Sequence, residues 1–250
     1  MSDVVKMSMR KAYGEALVEL GREDKKIGVL GADLGKSTMS NMFGVEIPER
    51  YFQMGIAEAN MISTAAGLAL TGHVAFASTF AVFASGRPYD QIRSSVAIPR
   101  LNVNICGSSA GLSDFGDGKT HQSVDDIALM RVLPNMTVLS PADYWETKKM
   151  VKAMAKIDGP CYIRVNRNEE PCVTAEGDAF ELGKVRTMMH LHMDAVTELC
   201  ILLGTRMKER GSGQILIVSS MTARIPAPGI AIYSATKAYL KSFGQSLSYE

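Results

Sequence analysis

The sequence predicts an α/β fold, a mostly parallel sheet with helices on both faces, followed by a smaller, partial Rossmann-like α-β-α tail. Two observations carry this. Short apolar runs of strand length recur at 27–30, 74–77, 103–106, 137–139 and 161–165, and helical patterns separate most of them. Strands that are apolar throughout and alternate with helices belong to a sheet covered on both faces.

Taken in order, Ser8 is placed to cap a helix whose apolar positions Met9, Ala12, Ala16, Leu17 and Leu20 follow a helical period, with Gly21 as its stop. The run Ile27 to Leu30 leads into a Gly/Ser/Asn-rich loop, 31–44, and then a helix over Ala57 to Leu70. Further helices are expected around 80–97, 123–131 and 143–156. Ala65 to Ala84 is apolar but interrupted by Gly72, His73 and Ser78. A membrane span needs about 20 predominantly apolar residues, so this stretch reads as helix, turn and buried strand. In sheets of this kind ligands sit beyond the carboxyl ends of the strands, which directs attention to loops 31–44, 54–60 and 107–121.

A charged, Pro- and Gly-containing connector at Glu169 to Gly177 marks a boundary. The expected organisation is a domain over 1–170, a connector over 171–186 and a tail over 187–250. The tail reads as a helix (about 187–209), a strand (Gln214 to Val218) and a final helix (about 231–249). With 27 basic and 26 acidic residues the net charge is +1, so no broad field recruits nucleic acid or an anionic membrane. Cys106, Cys161, Cys172 and Cys200 form no CxxC pair and no metal-type spacing with the four histidines. No metal site is expected. The cysteines read as reduced, mostly buried thiols, and with no visible targeting segment the expected location is cytoplasmic.

Three strings carry chemistry. Gly55-Ile56-Ala57-Glu58-Ala59-Asn60-Met61 puts a carboxylate in the first turn of a helix, which by itself favours the helix dipole. Ser78-Thr79-Phe80-Ala81-Val82-Phe83 places two rings at i,i+3, which by itself is core packing. Gly116-Asp117-Gly118-Lys119-Thr120-His121-Gln122, followed by Asp126-Ile127-Ala128-Leu129-Met130-Arg131, sets an imidazole and a carboxylate four residues apart in a Gly-bearing loop, paired donors and acceptors for adjacent hydroxyls. Together, in this order and covering most of residues 6–185, the strings resemble the pyrimidine-binding domain of the transketolase family.

The resemblance implies thiamine diphosphate as cofactor and two-carbon ketol transfer between sugars. Glu58 would share a proton with N1' of the aminopyrimidine, a catalytic as well as a cofactor-binding role, and Phe80 and Phe83 would stack on that ring. Asp117 and His121 would hold substrate hydroxyls, His121 close to the chemistry, while Ser37 and Arg167 match the family's sugar-phosphate contacts. The chain departs from the family pattern at three places. Gly86 stands where many members add a tyrosine to the stacking wall, a gap that Tyr89 is one way to close. Ser109 stands at a phosphate-binding histidine, and Gly116 at the glutamate before Asp117. The match begins directly at the pyrimidine domain, as in the second subunit of split transketolases. A separate subunit holding Mg²⁺ and the cofactor's diphosphate is therefore implied, along with an oligomer and activity that needs the partner chain.

Beyond about residue 187 the sequence resembles a different family, the short-chain dehydrogenases/reductases. The matching strings are Met207 to Gly213, Ile217-Val218-Ser219-Ser220 and Tyr233-Ser234-Ala235-Thr236-Lys237. The resemblance makes Tyr233 the general acid/base, Lys237 its partner and Ser220 the contact to the substrate oxygen. No Gly-rich strand-to-helix fingerprint precedes these strings, so NAD(P) binding is not expected. The chain reads as a chimera of a transketolase-like subunit and a dehydrogenase fragment. The rival readings are a reductase remnant and a catalytically silent interaction module.

Overall fold

The computed structural model describes residues 5–180, 193, 195–220, 223 and 231–247, without the side chains of 231–234. Two compact units divide between Phe180 and Glu181. The first is built on six parallel strands, β2 (Ile27–Gly31), β3 (Tyr51–Gln53), β4 (Val74–Phe80), β5 (Val103–Ser108), β6 (Thr137–Leu139) and β7 (Cys161–Arg164), in the order β3-β2-β4-β5-β7-β6. Their registers run Val29 to Tyr51, Leu30 to Ala77, Ala77 to Ile105, and Ile105 and Val138 both to Tyr162. β2 and β5 are buried along their whole length, as strands covered on both faces, though β5 carries the buried polar residues Asn104 and Ser108. A separate antiparallel ribbon joins β1 (Lys6–Ser8) to β8 (Glu169–Pro171).

Helix α1 (Met9–Glu23) starts at Ser8, whose hydroxyl accepts from the Lys11 amide at 3.3 Å. The expected stop at Gly21 is overturned. The helix continues to Glu23, and Gly21 is instead a close-packing position, where a Cβ would collide with the Phe43 ring. The loop expected over 31–44 contains α2 (Gly35–Thr38) and α3 (Asn41–Glu46), helices too short for their periodicity to show. Next come α4 (Glu58–Leu70), α5 (Ala81–Gly86), and α6 (Tyr89–Gln91), which runs on as a π-helical turn at Ile92–Ala97. The single helical stretch expected over 80–97 is therefore broken, at Arg87-Pro88. α7 (Asp126–Arg131) and α8 (Tyr144–Met154) complete the unit.

α1 packs on α3 and α8, and α4 on β4. Tyr13 anchors α1 with its buried hydroxyl 2.6 Å from Ser78 Oγ, and burial pushes its pKa well up. The Ala65 to Ala84 stretch folds as helix, a turn with Gly72 at φ +84°, and buried strand. Among the described residues no helix is long and apolar enough to cross a membrane. The four cysteines are free, and Cys106, Cys161 and Cys200 are buried.

The second unit has α9 (Ala195–Arg210) and α10 (Ala231–Leu247). Thr197 Oγ1 meets Tyr239 Oη at 2.6 Å, and Tyr239 stacks on Phe243. The strand expected at Gln214 to Val218 does not form. The segment runs unpaired, since no neighbouring strand among the described residues offers it a ladder.

Candidate functional site

The carboxyl ends of the parallel strands bring the expected residues of the first unit together. Gly55, at φ +68°, turns the chain after β3 into α4, so that Glu58 opens that helix. Phe80 ends β4, and Phe83 lies one turn into α5. Asp117 and His121 bracket the short turn Gly118–Thr120 that follows β5, and Arg167 follows β7. Ser37 sits in α2 after β2. Asp33 and Ser109, just past the ends of β2 and β5, hold left-handed conformations at φ 59° and 53°. Such strain in residues other than glycine gathers at functional loops.

Contacts link these side chains in series. Glu58 is only 4% exposed, and its Oε1 accepts from Arg87 Nη1 at 2.7 Å. The same guanidinium lies 4.0 Å from the centroid of Phe83. Phe83 and Phe80 stack with an interplanar angle of 15°, and the His121 ring meets them edge-on at 5.2 and 6.1 Å. His121 Nδ1 is 2.9 Å from Thr120 Oγ1. Arg167 lies 6.0 Å from the Phe80 ring, and its Nη1 pairs with Asp114 at 2.9 Å and Asp117 at 3.5 Å. Arg10 donates to the Ser37 carbonyl at 2.6 Å. Burial and the neighbouring Arg167 charge lower the Arg10 pKa, and Asp114 works against them.

Arg10, Arg87 and Asp114 belong to this cluster and escaped the sequence reading. Arg87 lies at i,i+4 from Phe83, a spacing that could have singled it out. No comparable signal marks Asp114, because burial of a loop carboxylate is a tertiary fact. Tyr89 does not close the stacking wall at Gly86. It packs against the hydrophobic core, and His121 and Arg87 cover Phe83 instead.

In the second unit Ser220 lies after the 214–218 segment and Lys237 on α10, and Ser219 Oγ donates to the Lys237 carbonyl at 2.7 Å. The Tyr233 side chain lies outside the described residues. Among the described residues no group of His, Cys, Asp and Glu is placed to hold a metal ion.

A parallel α/β sheet whose strand-end loops carry a buried carboxylate, a stacked pair of rings and an arginine-carboxylate cluster has its polar groups at the carboxyl edge, where α/β sheets generally hold small molecules. Residues 5–171 match the family model "Transketolase, pyrimidine binding domain", and the chain belongs to the transketolase family. A second model, "short chain dehydrogenase", matches residues 147–250. The chain is 43% identical over 220 residues to the "Putative transketolase C-terminal section" of Methanocaldococcus jannaschii, covering 87% of this chain and 68% of that one. It is 39% identical over 193 residues to Homo sapiens transketolase, 77% of this chain but 31% of the human protein. A solved structure described as "Split gene transketolase, inactive beta4 tetramer" matches with a TM-score of 0.64 at 50% identity, over 71% of this chain and 57% of that one. The chain thus spans about a third of the full-length human relative.

Proposed function

We propose that this chain is the pyrimidine-domain subunit of a two-chain, thiamine diphosphate-dependent transketolase-like enzyme, and that a partner subunit supplies the Mg²⁺ and diphosphate site. The observation that carries this is the slot between Glu58 and Phe83. Arg87 places a flat, cationic N–H donor there, bonded to the carboxylate and stacked on the ring at once. An aminopyrimidine requires the same two contacts, so the residues present fit the group.

When bound, the cofactor supplies a carbon nucleophile able to cleave the bond beside a ketose carbonyl and pass on a two-carbon unit. The chain's own residues do the rest. Glu58, shielded from water, holds a proton at N1' of the pyrimidine, and Phe80 and Phe83 fix the plane of the ring; stacking of this kind contributes about 0.5–1.5 kcal/mol beyond burial. His121, edge-on to both rings, is positioned to exchange hydrogen bonds with substrate hydroxyls beside the reacting carbon, with Asp117 completing the grip. Arg167 and Ser37 face the far end of the sugar. The tail, with Ser220, Tyr233 and Lys237, is read as an appendage, and hydride transfer with NAD(P) is not proposed.

The test is reconstitution with a diphosphate-domain subunit, thiamine diphosphate and Mg²⁺, scored as ketol transfer. Glu58→Ala is expected to reduce turnover by at least about a hundredfold, the scale of a lost acid-base group. Turnover that survives this change sinks the proposal.

A further inference from the structure

Arg167, placed above at the far end of the substrate, has its charge already engaged. Asp114 and Asp117 both pair with its Nη1, and Asp114 also acts on Arg10. Asp114 is fully buried, and its Oδ1 is buried without a hydrogen-bond partner. A carboxylate left half-satisfied in the interior is costly. It persists where a cation lies beside it, as Arg167 does here, and in return it compensates that cation. The two guanidiniums and two carboxylates sum to zero. A phosphate monoester would bring a further charge of about −1.5 to −2. It would meet an arginine that is already neutralised, with a buried anion behind it. The other polar groups that the β5 loop contributes include the Ser108 and Ser109 hydroxyls, both buried and without partners.

We infer that Asp114 is a specificity-determining positioning residue. By compensating Arg167 from behind, it makes the substrate-end subsite select the uncharged hydroxyl terminus of an unphosphorylated ketose over a sugar phosphate. Asp114 does not touch substrate and acts through Arg167. The inference rests on the transketolase-like reading, but its electrostatic core can be tested without turnover.

Titrating the full chain with inorganic phosphate, followed by calorimetry, is expected to show binding at least about tenfold tighter in Asp114→Asn than in the native chain, because one buried negative charge near the anion is removed. Equal or weaker binding by a folded Asp114→Asn overturns the inference. Asp117→Asn, at a side chain 48% exposed, is expected to shift binding the same way by less, and provides the same test if Asp114→Asn does not fold. In the reconstituted enzyme, kcat/KM is expected to favour D-fructose over fructose 6-phosphate, and Asp114→Asn to move that ratio toward the phosphate by at least about tenfold. A native preference for the phosphate overturns the inference, and a merely structural role would leave the ratio unchanged. If neither donor reacts, the functional reading falls, and the phosphate titration alone decides the role of Asp114.

Discussion

Arg87 is bound to Glu58 at 2.7 Å and lies 4.0 Å from the centroid of Phe83, so one guanidinium engages both faces of the slot proposed for the pyrimidine. Its side chain is 48% exposed, whereas Glu58 is buried. The half that can leave is therefore the arginine. Arg87→Ala is expected to tighten thiamine diphosphate binding to the assembled enzyme about three- to tenfold, because a competing contact worth about 1 kcal/mol at a half-exposed site disappears. Calorimetric titration with the cofactor checks this. Weaker binding would mean that Arg87 helps to hold the cofactor.

Asp143 caps α8 through the Glu146 amide at 3.0 Å and also accepts from the Val173 amide at 2.8 Å and the Thr174 amide at 2.6 Å. Burial opposes its ionisation, but these hydrogen bonds prevail and hold its pKa below the usual carboxylate range. A depressed carboxylate contributes stability that is complete above its unfolded pKa, about 3.9, and is lost as pH falls through the folded value. Asp143→Ala should cost about 2–4 kcal/mol at neutral pH, as a lost cap combined with stranded amides. It should also flatten the native loss of stability below about pH 4. Urea denaturation between pH 3 and pH 7 measures both.

At Gly107 in β5 a Cβ would collide with the Tyr162 hydroxyl and press on the Ala81 backbone. Tyr162 has no room to yield: it is buried, its hydroxyl donates to Asp126 at 2.8 Å, and Asp126 in turn pairs with Arg164 at 3.2 Å. Gly107→Ala should destabilise the first unit by about 1–3 kcal/mol through overpacking, read as a lower thermal midpoint.

Thiol labelling should follow burial. Desolvation pushes the Cys161 pKa up to about 12 and that of Cys106 higher still. With the thiolate as the reactive form, iodoacetamide at pH 8 should label partly exposed Cys172 first and reach Cys106 and Cys161 only on unfolding. Peptide mapping after timed quenching distinguishes the two classes.

Five of the six strands of the sheet were legible because they are short, largely apolar and bounded by turn residues, and Ile27 to Leu30 and Thr137 to Leu139 fall inside strands the structure forms. β3, α2, α3 and the β1–β8 ribbon were not, because elements of three to six residues that mix polar with apolar residues carry neither an apolar run nor enough periodicity. Gly21 misled because glycine ends helices but also admits close neighbours, and here the Phe43 ring required the space. At the site, Glu58, Phe80, Phe83, Asp117 and His121 stood in recognisable strings. Asp114 had meaning only once the fold set it against Arg167, and the spacing that marks Arg87 beside Phe83 gave no sign of its bond to Glu58. Whether 214–218 pairs as a strand depended on a neighbour that its own residues could not supply.

The antiparallel ribbon of Lys6–Ser8 with Glu169–Pro171 has a mechanical consequence. It clasps the point where the chain enters the first unit to the stretch by which it leaves, and the Cys172 amide adds a further bond to the Val5 carbonyl. Tension applied between the amino terminus and the chain beyond residue 172 meets the Asp143 anchors of Val173 and Thr174 and then this small zipper, which opens one rung at a time, while the six-stranded sheet stays out of the line of force. A tether pulled from beyond the clasp can thus come loose before the strand ends that carry Glu58 and His121 are strained.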